Sequence, residues 1–190
     1  PIFLKTLHSN DLYHCNLKPN NILFDGGIDP SPMLTDFAQG YLGGNEQINL
    51  NDSLFFSHPN QLNGESFLFN GNGQRWDIYS FGATMFKLLT GNHCRLNKEI
   101  EAFQKRKGND STHYSGISPN QVARAVKRTP QINWPLPPSS KRESSFRKVI
   151  EQCLTLDENE EFSDMDSIIR EIKNCNPLKP KSSQLTLRKN

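Results

Sequence analysis

The sequence predicts a mainly α-helical domain: a helical bundle around one buried central helix, with a small β-hairpin beside it. Three observations carry this. Residues 75–90 place apolar side chains on nearly every face (Trp76, Ile78, Phe81, Met85, Phe86, Leu88, Leu89) before Gly91 ends the run. A helix that is apolar all round is buried, and glycine just past the last turn is the common C-terminal stop. Upstream, ILF at 22–24 and PMLTDF at 32–37 are short apolar segments separated by a stretch rich in Gly, Asp and Pro, the pattern of two short paired strands. Downstream, apolar residues at helical spacing recur to residue 174, and no internal repeat or low-complexity block interrupts them.

Taken in order, PIFLKTLHSNDLYH at 1–14 reads as the last turns of a helix running into a polar loop at 14–21. The hairpin follows, with Asp36 at the exit of its second strand. Residues 38–60 are rich in Asn, Gly and Gln and are expected to be mobile. After the central helix, further helices are expected at 97–106 and at 119–128, the latter opened by Ser118 as cap and Pro119 in the first turn. NWPLPP at 133–138 is a stiff connector. Helices near 142–155 and 164–174 close the domain, with Ser163 and Asp166 set as a capping box. The domain is expected to span 1–176. PLKPKSSQLTLRKN at 177–190 carries four basic residues and no acid, and is expected to be a disordered tail.

Composition narrows the function classes. At 190 residues and 21.7 kDa the chain is one domain, large enough for a real core. A formal net charge of +2 is too small to argue for nucleic acid. The four cysteines (Cys15, Cys94, Cys153, Cys175) are widely spaced without a C-x-x-C pair. That spacing argues against a zinc site or a disulfide framework and points to a reducing, cytoplasmic setting. No run of about 18 apolar residues exists to span a bilayer, and no signal peptide is visible.

Four motifs stand in one order: His14-Cys15-Asn16-Leu17-Lys18-Pro19-Asn20-Asn21 with Asp36-Phe37-Ala38; FSHPNQL at 56–62; DIYSFGATMFKLLTG at 77–91; and CLTLDENEEFS at 153–163. They resemble, in turn, the catalytic loop H-R-D-L-K-P-x-N with D-F-G, the end of the activation segment, the central helix of the lower lobe and a C-terminal motif of the eukaryotic-type Ser/Thr protein kinases. The version at 77–91 is especially close to bacterial members. The resemblance implies the helical C-terminal lobe of the kinase fold, with a catalytic-loop remnant at 14–21 and an activation segment at 36–60. The family's small upper lobe carries a Gly-rich phosphate loop, yet no G-x-G-x-x-G occurs here; Gly26-Gly27, Gly43-Gly44 and Gly71-Asn72-Gly73 read as turns. The upper lobe is therefore expected to lie outside this chain.

The resemblance also assigns roles. Asn16 stands where the family has the Asp that accepts the substrate hydroxyl proton. An amide cannot hold that proton, so efficient phosphotransfer is not expected: the chain reads as a pseudokinase. The alternative for Asn16 is a loop residue bonding backbone groups. Lys18 would sit near the transferred phosphate, and Asn21 and Asp36 would be the magnesium ligands, one amide oxygen and one carboxylate. The alternative for these three is a loop-stabilising polar role. Cys15 replaces an Arg that pairs with phosphorylated activation segments, so control through that contact is not expected. His14 and Phe37 match residues of the hydrophobic spine, and Asp77 matches the residue that bonds the catalytic-loop backbone. The family's buried Glu–Arg clamp is replaced by Asn60 and Glu161. Mg-ATP binding is expected only with a complete upper lobe, and none for this chain alone. The expected functions are a protein-interaction or regulatory module, with an unknown protein or the upper lobe as partner and self-association as another outcome, or else a weak, atypical kinase.

Overall fold

The computed structural model describes residues 1–37, 53–65, 72–101 and 118–175. The chain opens on α1 (Ile2–His8), which buries Leu4 and anchors its Lys5 to Asp166 at 2.7 Å. A polar loop then leads through a single 3₁₀ turn (Pro19–Asn21) into β1 (Ile22–Phe24). β2 (Pro32–Leu34) pairs with it antiparallel, Ile22 opposite Leu34 and Phe24 opposite Pro32. This is the expected hairpin, and Asp36 lies two residues beyond its second strand.

After the short α2 (Pro59–Leu62) comes the central helix α3 (Asn72–Thr90). It starts earlier than its apolar pattern, because Asn72 and Gly73 form its first turn instead of a separate bend. Gly73 is needed there: a Cβ would stand 2.5 Å from the Tyr13 ring. Gly91, at φ +73°, ends the helix in the left-handed conformation that favours glycine. The helix is buried through Phe86, but Leu88 and Leu89 in its last turn are exposed, so the apolar run overstates its burial.

Backbone at 97–101 is helical, and 102–106 of that expected helix fall outside the described residues, as do 38–52 of the activation segment and the 177–190 tail. α4 (Pro119–Arg128) opens as read, with the Gln121 side chain accepting the Ser118 N–H at 3.1 Å. α5 (Lys141–Cys153) is capped by Ser140, whose hydroxyl accepts the Glu143 N–H. For α6 (Met165–Cys175) the cap differs from the reading. Asp164 accepts the Ser167 N–H at 2.7 Å, and Asp166 is committed to Lys5.

The core has one organising contact, α3 against α5. A Cβ on Gly82 would meet the Cys153 Cβ at 2.7 Å, so the two helices touch backbone to side chain. Phe81, Val149, Met165 and Ile168 fill one side of α3, while Tyr79, Phe86, Ile150 and Leu154 fill the other. α2 and α4 share a separate cluster around Leu62, Val122 and Val126. An open apolar groove of about 360 Å³ lies between α1, the hairpin and α3, walled by Ile2, Phe24 and Leu88. No helix among the described residues is long and apolar enough to cross a membrane.

Candidate active site

The site is built outward from one buried carboxylate. Asp77, in the second turn of α3, has no exposed surface and accepts the His14 N–H at 2.8 Å and the Cys15 N–H at 2.7 Å. His8 Nε2 stands 2.9 Å from the same carboxylate. A buried ion without partners would be costly; three donors converging on it make it the anchor of the loop. The anchor also stabilises an unfavourable backbone. Cys15 has φ +55°, a conformation that costs an ordinary residue about 1–2 kcal/mol. Its N–H is held by Asp77 and its carbonyl by Gln61 Nε2 at 2.6 Å, so both sides of the strained residue are fixed.

From that anchor the loop presents its side chains. His14 is fully buried and stacks on Phe37, ring centroids 4.6 Å apart, which joins the 14–21 loop to the segment after β2. Burial pushes the His14 imidazole below its ordinary pKa, opposed in part by the Asp77 charge. Leu17 points into the core and Lys18 is half-buried. Asn21 is buried and donates its Nδ2 to the Asn16 carbonyl at 2.8 Å. Asn16 in turn donates its own Nδ2 to the Asp36 carbonyl at 2.8 Å, and its Oδ1 accepts from Ser53 Oγ. Asp36 has an exposed side chain and a left-handed backbone, φ +55°. Asn16, Asn21 and Asp36 are thus brought together by direct hydrogen bonds, and His14 and Phe37 by ring contact.

The facing wall comes from residues 53–65. Ser53 and Ser57 are buried, and the Ser57 hydroxyl donates to the Ser53 carbonyl at 3.0 Å. His58 caps α2 by accepting the Asn60 N–H, and burial drives its pKa down to about 3, helped by the charges of Arg75, Lys127 and Arg95. Glu161 does not stand alone: Arg75 of α3 grips it with two nitrogens, at 2.7 and 2.8 Å, and also reaches Glu158 at 3.2 Å. The ion pair at this corner therefore joins α3 to the 154–164 loop, while α2 is held to the 14–21 loop through Gln61. Ser53, Gln61, His8 and Arg75 are the site residues that sequence reasoning missed. Only Gln61 had a visible signal, its place in the FSHPNQL motif.

Chemically, the arrangement offers one exposed carboxylate, Asp36, and one amide, Asn21, whose nitrogen is turned to protein. Its oxygen is the remaining metal-binding atom. Such a pair fits magnesium, which keeps waters and phosphate oxygens in most of its shell. Among the described residues no group of three or more His, Cys, Asp or Glu could hold a metal by themselves. The Cys15 thiol is buried against Trp76, and burial raises its pKa far above the ordinary range, so it is no nucleophile.

Comparison with known proteins agrees with this geometry. The protein kinase domain model matches residues 3–174. The chain is 35% identical over 104 residues to the probable serine/threonine-protein kinase ireA of Dictyostelium discoideum, covering 50% of this chain and 10% of that protein. It is 32% identical over 88 residues to the human dual specificity tyrosine-phosphorylation-regulated kinase 3 (46% and 14%), and 28% identical over 88 residues to the fission-yeast serine/threonine-protein kinase ppk5 (46% and 10%). The chain spans between 10% and 16% of the length of the first such relatives. These relatives are eukaryotic, and the bacterial likeness read at 77–91 gains no support from them. With the family model matching residues 3–174 of the 190 and the helical architecture in place, this chain belongs to the protein kinase family.

Proposed function

We propose that the chain is a kinase-like domain with little or no phosphotransfer, a pseudokinase acting as a protein-interaction or regulatory module. One observation supports the reading: Asn16, at the place the resemblance gives to the general base, has its amide nitrogen on the Asp36 carbonyl and its oxygen on Ser53. General-base catalysis contributes about 10²–10⁴-fold, or roughly 3–5 kcal/mol of transition-state stabilisation, and an amide supplies none of it. Phosphoryl transfer depends mostly on positioning and charge neutralisation, so the loss weakens catalysis more surely than it abolishes it.

A second reading, a weak or atypical ATP-dependent Ser/Thr protein kinase, is favoured by Lys18, Asn21 and Asp36 and by the names of the relatives. In either case Mg-ATP would need a Gly-rich lobe beyond these residues, with Asn21 and Asp36 as its metal ligands and Lys18 at the phosphates. The partner is proposed to be a protein and the setting cytoplasmic. A thermal-shift titration of the chain with Mg-ATP against magnesium alone tests the reading from one side, since a shift without that Gly-rich lobe would contradict it. A nucleotide at a hundred times its Kd adds about 2.7 kcal/mol, a few degrees in Tm. We expect no nucleotide-specific shift; a clear one would favour the enzyme.

A further inference from the structure

We propose that residues 177–190 dock on their own chain, in an acid-rimmed groove beside the last turn of α5. The groove has a volume of about 610 Å³. Half-buried Ile132 and Leu156, with Pro130, give it an apolar lining, and exposed Glu151, Asp157 and Glu160 stand around it. Arg95 lines it too, but that side chain is buried and gives its donors to the Pro130 and Leu154 carbonyls and the Tyr79 hydroxyl. An occupant therefore meets apolar surface and carboxylates. Among the described residues the Glu160 carboxylate has no partner.

The stretch beyond α6 has the matching chemistry. It holds Lys179, Lys181, Arg188 and Lys189 and no acid, with Leu185 and Leu187 next to the last two cations. Extended chain puts residues i and i+2 on one face, so both leucines can enter the groove while Arg188 and Lys189 reach its rim. The reach is sufficient. Cys175 shares a cavity with Ser140 and Phe146, so α6 ends beside the start of α5. The groove lies at the other end of α5 and on its other side. Along and half around that helix the path is roughly 25 Å, over exposed Ser145 and Lys148. Residues 176–184 span up to about 30 Å when extended. A tether that short sets an effective concentration in the millimolar range, so a weak contact forms within the chain before it forms between copies. The docking uses no residue of the 14–21 loop and does not depend on whether the chain transfers phosphate.

The test uses the full 190-residue chain at pH 7, isotope-labelled, as wild type, L185S/L187S and E160K. Amide relaxation reads the order of the 185–189 backbone, and the chemical shifts of the Ile132, Leu156 and Glu160 amides read the groove. In wild type, order parameters above about 0.6, the level below which backbone is flexible, are expected at 185–189. They are expected to persist on dilution. L185S/L187S is expected to drop them below that level and to shift the groove amides, and E160K to lower them. Flexible 185–189 backbone in wild type, or groove amides that do not move in L185S/L187S, overturns the proposal. Order unchanged by E160K overturns it as well, and so does order lost on dilution, which would make the occupant the tail of a second copy. Should E160K not fold, L185S/L187S decides alone.

Discussion

At the scale of single residues, the loop depends on Asp77 more than on any other side chain, because two backbone N–H groups and His8 meet on its buried oxygens. Asp77→Asn turns one oxygen into a donor facing donors. It is expected to cost about 2–4 kcal/mol in urea unfolding, against near-neutrality if the contacts were incidental. Histidines set the acid limit. Burial lowers His58 to about 3 and His93 to about 4 from the ordinary 6.5, so the unfolded chain takes up protons that the folded one refuses. Their contribution is fully present above pH 6.5 and is lost as pH falls toward about 4 for His93 and about 3 for His58. Stability should therefore rise with pH across that window, and His93→Phe should flatten the rise. Thiols give a third readout: Cys15, Cys94 and Cys153 are buried and Cys175 is partly exposed, so the folded chain should titrate one thiol rapidly and all four only when denatured. The identities of His14, Asn16, Asn21, Asp36 and Asp77 were legible in the sequence, since they stand at fixed positions in motifs. Their partners were not. Ser53 meets Asn16 across 37 residues, and no local pattern records such a meeting.

At the scale of elements, helix contact decides what substitutions the fold accepts. Gly82→Ala gains about 1 kcal/mol in helix propensity, but the new methyl would lie 2.7 Å from the Cys153 Cβ and 3.0 Å from Leu154 Cγ. Overpacking of that kind costs about 1–3 kcal/mol, so the variant is expected to lower Tm despite its better propensity. The corner between α3 and the 154–164 loop carries a different test. Arg75 and Glu161 are both mostly shielded from solvent, and a double-mutant cycle to alanine should return a coupling of about 1 kcal/mol. No coupling would make the pair ornamental. Glu161, which the resemblance places at one end of a replaced clamp, pairs with Arg75 of the central helix. Element existence was legible from apolar spacing and from Gly91, Ser118 and Pro119. Ends were harder: Asp164 and not Ser163 caps the last helix, and Asp166 pairs with Lys5, a contact 161 residues distant in sequence that no capping rule sees.

At the scale of the whole molecule, the residues that build the lobe and those that would run its chemistry differ. Asp77, His14 and Phe37 make close, buried or stacked contacts, while position 16, which the resemblance gives to the proton acceptor, carries an amide bonded to the Asp36 carbonyl. The fold class was readable because four motifs kept their order, and activity was not, because phosphotransfer depends on groups above the loop as much as on the loop. The most direct measurement is labelled-phosphate transfer from Mg-ATP by the complete natural polypeptide that contains these residues, beside its Asp36→Ala variant. The account predicts that wild type transfers little or no more than Asp36→Ala. Transfer by the wild type that Asp36→Ala abolishes would contradict it.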